Sequence, residues 1–182
     1  MGLSRDEEGA LLLRLTAKWF VGKLISRGIN LVPMAVTLSP QDDLKGVTVR
    51  LAEGGGDMYW QLLAALRQAV TEGRYRGVAV CSLGDITEPG AGEKTRAVIV
   101  DIEHENLAPR VWIWPFQKVG GEYRFGGATG EGYIRPGTRQ VFDAPEQPTE
   151  FSYTGPFGAL VESISVSPKD LASLRAQAAG RA

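Results

Sequence analysis

The sequence predicts an α+β domain built on a single antiparallel sheet of about five to seven strands flanked by helices. Three observations predict it. An S-x-x-E capping box, Ser4 with Glu7, opens an apolar run that continues to about Ser26. Met58, Leu62, Leu66, Ala69 and Val70 recur at helical spacing. Three strand-like runs, 77–83, 95–105 and 109–117, follow with connections too short for the crossover that parallel pairing needs.

Each element has its own signal. Asp6, Glu7 and Glu8 favour the positive end of the first helix, and Gly28 can take the left-handed cap that stops it. Its apolar residues spread around much of the circumference, which predicts contact on more than one side. Segments 29–38 and 46–51 read as a hairpin with a long loop, and Pro33 places the first strand at an edge or a bulge. Asp57 is set to cap the second helix and Gly73 to end it. Residues 120–137 hold seven glycines and read as a long surface loop, although EYRFGG within them can continue the meander as a short strand. Segment 157–167 supplies a further strand, and Ser167, Pro168 and Asp170 start a short helix that frays over 178–182.

A length of 182 residues with 43% hydrophobic and 23% charged residues suits a single domain, 1–182, with one sizeable core. Twenty basic residues against twenty-one acidic ones give no overall pull toward nucleic acid or an anionic membrane. One cysteine forms no internal disulfide. The acidic start and the interruptions at Arg14, Lys18 and Lys23 fit neither a secretory signal nor a membrane span, so a cytoplasmic location is expected.

The chemistry-bearing residues are few. Cys81 is the single cysteine and His104 the single histidine. Cys81 shares a strand face with Ala79 and Leu83, which hides a thiol, and His104 shares one with Val98, Val100 and Ile102. We expect two residues of one sheet, and no catalytic residue is assigned. Asp101, Glu103 and Glu105 would line the opposite face as a solvated acidic row, with no metal site. EGGGD (53–57) lacks the spacing of a phosphate-binding loop and reads as a turn. Trp112, Trp114 and Phe116 share one strand face. Residue type makes them core by default, yet they are the first candidate for a binding surface, because Pro115 signals a strand end left unpaired. Tyr123, Arg124, Phe125, Tyr133, Arg135 and Arg139 mix aromatic and basic side chains in the glycine-rich loop, which could cover a ligand.

The runs YRGVAVCSLGDI, AVIVDIEHENLAPRVWIWPFQK and EYRFGG, in that order, resemble a family of small uncharacterised bacterial proteins. That pattern is a helix ending in an E-G-x-Y-R turn, a strand through A-V-C, an L- or I-E-H strand, and a strand closing on proline and an aromatic or basic residue. The resemblance covers residues 72 to about 126 and implies no activity. Where the pattern ends in proline and tyrosine this chain has Pro115 and Phe116, so a tyrosine-dependent role does not carry across. The order of elements is also similar to the profilin-like and roadblock-like arrangement.

These readings converge on a non-catalytic domain that binds a protein partner or small ligand through its sheet and glycine-rich loop. The expected contact set is Trp112, Trp114, Phe116, Tyr123, Arg124, Tyr133, Arg135 and His104. No cofactor is expected. A homo-oligomer would cover exposed strand edges with a second copy. Two other classes compete: a hydrolase or acyl-transfer enzyme using Cys81, or a loop hydroxyl, with His104, and a single-stranded nucleic-acid binder using Arg124, Arg135 and Arg139.

Overall fold

The computed structural model of the chain describes residues 2–51, 57–87, 92–126, 130–142 and 159–180. Helix α1 (Arg5–Ser26) begins where the capping box places it. The Ser4 hydroxyl accepts from the Glu7 amide at 3.3 Å, and the Glu7 carboxylate accepts from the Ser4 amide at 2.8 Å. The helix ends in a Schellman motif: Gly28 sits at φ +70°, its amide on Ile25 O, with the Ile29 amide on Leu24 O.

The remaining elements are β1 (Met34–Leu38), β2 (Leu44–Arg50), α2 (Met58–Thr71), β3 (Gly77–Thr87), β4 (Lys94–His104), β5 (Leu107–Val119), β6 (Glu122–Phe125), β7 (Tyr133–Pro136), β8 (Ala159–Ser165) and α3 (Pro168–Ala179). The strands form one open antiparallel sheet in the order β6-β5-β4-β3-β1-β2-β8, with β7 also paired to β5. The class is α+β. The sheet has one strand more than the upper end expected, because part of the glycine-rich segment, 133–136, pairs with β5. No described helix is long and apolar enough to cross a membrane.

Strand alternation sorts the core. Met34, Val36, Leu38, Ala79, Cys81, Val98, Val100, Ile102, Trp112 and Trp114 pack under α1, joined by Leu174 and Ala178 of α3. Ala35, Val47, Val49, Val78 and Val80 face α2 on the other side. Central strands covered on both faces lose the polar half of the alternation, which is why β1 is buried at every residue. Helix α1 lies between the sheet and α3, the two-sided contact its apolar spread predicts. The C-terminal helix runs to Ala179, with Ala178 buried.

Three expectations are corrected. Pro33 does not mark an edge: β1 lies between β2 and β3 and starts at Met34, so the missing amide falls just outside the ladder. Pro115 does not end pairing: it stands opposite Ala97, and β5 runs on to Val119. Its carbonyl accepts from Gly126 at 2.6 Å, so its nitrogen points to that same side, into the gap between the β7 register ending at Ile113 and the β6 register starting at Phe116. A proline in that gap deprives neither ladder of a donor. The third correction concerns the acidic row. Glu103 is 1% exposed and half-buried Asp101 lies beside it on the α2 side, while Glu105 falls past the strand in a turn. Glu103 is buried because it receives three consecutive backbone donors, Gln140 N at 2.7 Å, Val141 N at 3.0 Å and Phe142 N at 2.9 Å.

The sheet edges carry features that disfavour pairing with another copy. Strand β7 is four residues long and contains Arg135 and Pro136, and β6 contains Glu122 and Arg124. The β2–β8 ladder has a register shift at Gly46/Val47. Glu162 sits at the centre of β8, so a two-fold pairing of two β8 strands about their midpoints would set it against its own copy.

Candidate functional site

The aromatic strand predicted as a binding surface lies in the core. Trp112 is 1% exposed and Trp114 5%. Their indole N–H groups donate to Glu131 O and Gly130 O, each at 3.0 Å, so they anchor the glycine-rich segment from beneath. Trp114 stacks on Phe125 with centroids 4.2 Å apart, and half-buried Phe116 and Tyr123 extend the cluster. Arg124, Tyr133 and Arg135 are exposed, with Tyr133 and Arg135 on β7. The predicted set is therefore not one site. Its tryptophans pack inward, its loop residues face solvent, and His104 lies at the far end of β4.

Cys81 and His104 share a sheet face without meeting. Cys81 stands opposite Val100, and His104 opposite Gly77, four steps along the same ladder or about 13 Å. Burial, with the nearby Asp101 charge, pushes the Cys81 thiol up to about 12. The geometry gives a thiolate–imidazole pair no shared centre.

His104 belongs instead to a buried polar cluster. Arg76, 4% exposed, donates to His104 Nε2 at 2.8 Å and to Asp6 Oδ1 at 3.2 Å, and grips Asp42 through Nε at 2.9 Å and through Nη2. A guanidinium only donates, so Nε2 is the accepting nitrogen and the ring proton sits on Nδ1. The Asn106 amide, 3.3 Å from Nδ1, fits the opposite tautomer, and the shorter, charged contact decides. Burial, reinforced by Arg76 and Arg139 and opposed by Asp6 and Glu105, keeps the His104 pKa below its ordinary value. An imidazole whose only lone pair is occupied by a cation is a poor general base.

The cluster fixes the loop between β1 and β2. Asp42 is the one non-glycine residue at positive φ among those described, at +68°. Burial raises its pKa, but the bonds and charges of Arg76 and Arg5 outweigh that and hold it below the usual carboxylate range. Arg5 also donates to Pro40 O at 2.7 Å. From within, the Ser39 hydroxyl accepts from the Gln41 amide at 3.2 Å and the Asp43 amide at 3.1 Å. Helix α1 comes close enough because residue 9 is glycine: a Cβ there would lie 2.9 Å from Leu38 Cδ2 and 3.1 Å from Arg76 Nη2.

The outer face of this same loop walls a cleft of about 500 Å³, within the size range of small-molecule sites. Thr37, Lys45 and Val47 of β1 and β2, Leu160 and Glu162 of β8, and Gly73, Arg74 and Tyr75 after α2 complete it. Val47, Leu160 and Tyr75 supply apolar surface. Lys45 and Glu162 pair with each other at 3.7 Å. Arg74 lies over the Tyr75 ring at 5.5 Å and forms no ion pair among the described residues. Asp43 meets only the Ser39 hydroxyl at 3.5 Å and has no cationic partner among them. Among the described residues the cleft thus holds one cation and one anion without an ion-pair partner, Arg74 and Asp43, beside apolar walls. Two smaller clefts, about 260 and 240 Å³, flank the Arg76 cluster, one lined by His104 and Arg110 and the other by Arg5 and Arg175. Among the described residues no three His, Cys, Asp or Glu side chains converge as metal ligands.

The cleft residues carry no motif. Gly9, a glycine at the start of the first helix's apolar run, signals in sequence that something packs closely against that helix, as Gly22 does further along. No family model, curated protein or solved structure matches the chain. The expected similarity in element order to profilin-like and roadblock-like arrangements is not confirmed by these comparisons.

Proposed function

We propose that this is a non-catalytic, cytoplasmic binding domain whose ligand is a small zwitterion of about amino-acid or dipeptide size with an apolar body. The observation that carries the reading is the pair of opposite charges without an ion-pair partner among the described residues, Arg74 and Asp43, on two walls of one cleft whose remaining surface includes Val47, Leu160 and Tyr75. A ligand carrying both charges can engage both groups, whereas a singly charged one engages only one and leaves the other to solvent, so the cleft discriminates by charge pattern. Binding without chemistry is supported by the sealed thiol of Cys81 and the occupied lone pair of His104. The sheet edges, with Pro136, Arg135 and Glu162 on them, favour a small ligand over a second copy as the bound species.

Calorimetric titration with L-phenylalanine, L-phenylalaninamide and N-acetyl-L-phenylalanine tests the charge pattern directly. The zwitterion is expected to bind at least about tenfold more tightly than either singly charged form, the scale of one lost charged contact. Equal binding of all three, or binding of none, would remove the reading.

A further inference from the structure

The loop that walls the cleft is held from its other side, by residues that do not line it. Arg76 reaches Asp42 from the protein interior and Arg5 reaches Asp42 and Pro40 from the surface, while Pro40, Gln41 and Asp43 form the cleft wall. Asp42 itself is absent from that wall. Its left-handed backbone, at φ +68°, is a conformation most side chains avoid, and it turns the carboxylate inward while its neighbours face the cleft.

We propose that the Asp42 grip by Arg76 and Arg5 is the positioning device of the cleft, setting ligand affinity from outside it by fixing where Asp43 stands. This inference rests on the cleft being the binding site. A wall held in place before binding costs the ligand no ordering entropy, whereas a loosened one must be ordered on each encounter. By linkage the effect is reciprocal: the bound ligand tightens the loop that Arg76 holds.

The test uses L-phenylalanine as the probe against wild type, Asp42→Asn and Arg5→Gln, with amide hydrogen exchange recorded on each protein. Asparagine tolerates positive φ, so Asp42→Asn removes the charge and leaves the backbone preference. The expected result is about tenfold weaker binding for Asp42→Asn, within the usual span of coupling factors. Faster exchange should be confined to the loop amides, those of Ser39 and Asp42 among them, with the β3 and β4 amides unchanged. A purely structural role for Asp42 would instead quicken exchange through β3 and β4. Should Asp42→Asn fail to fold, Arg5→Gln, which removes only the exposed half of the grip, carries the same expectation at a smaller factor. Wild-type affinity in a variant whose loop amides exchange faster would overturn the inference and leave the cleft reading standing. No binding to wild type would end the cleft reading itself.

Discussion

Replacing Asp101 by asparagine should stabilise the protein, and only above a definite pH. Asp101 sits on β4 opposite Val80 and Val111, and burial, then the nearby Glu103 charge, push its carboxyl up to about 6 against the pull of Arg135. The rise of about two units corresponds to a ceiling of about 3 kcal/mol, and about 2 kcal/mol once the solvated part of the side chain is discounted. Between about pH 4 and pH 6 the folded state binds this proton more tightly than the unfolded chain, so wild-type stability falls as pH rises through that window. Asp101→Asn has no such proton. Its advantage should be near zero at pH 4 and reach about 2 kcal/mol above pH 6. Urea unfolding followed by tryptophan fluorescence at pH 4.5, 5.5 and 7 measures it, with an unchanged slope as the control for two-state behaviour. A variant less stable than wild type at pH 7, or a difference that does not vary with pH, would refute the reasoning.

Glu103→Gln should have the opposite effect. One of the two oxygens that collect the 140–142 amides becomes an NH₂ facing donors, at a cost of about 2–4 kcal/mol readable in a thermal melt. Gly9→Ala should lower the melting temperature although alanine is the better helix former, because the added Cβ meets Leu38 and Arg76, an overpacking cost of about 1–3 kcal/mol. Cys81 should resist an aromatic disulfide reagent in the folded protein and react at an ordinary rate in denaturant, since burial holds it as a thiol.

What the sequence discloses about this fold is what is local. The capping box at Ser4, the glycine stop at Gly28 and the periodicity of α2 are decided by neighbours within a turn, and each lies where the pattern puts it. The three central strands are legible for the same reason. Pro115 misleads because its effect depends on which side its nitrogen faces, and that side is set by a gap between two other strands. Glu103 misleads because a segment about 37 residues later supplies its donors, as charge alone does not reveal. The candidate site is the least legible part. Arg76, Asp42 and Asp6 are far apart in sequence, and the cleft gathers residues from β1, β2, β8 and the end of α2 that share no motif.

The most direct test of the central claim is an amide NMR titration of the folded protein with L-phenylalanine. The account predicts saturable shifts at Gln41, Asp43, Lys45, Arg74 and Tyr75, the cleft residues, with Tyr133, Arg135 and the backbone around Trp112 undisturbed. Shifts centred on β5 and β7, or none at any concentration, would contradict it.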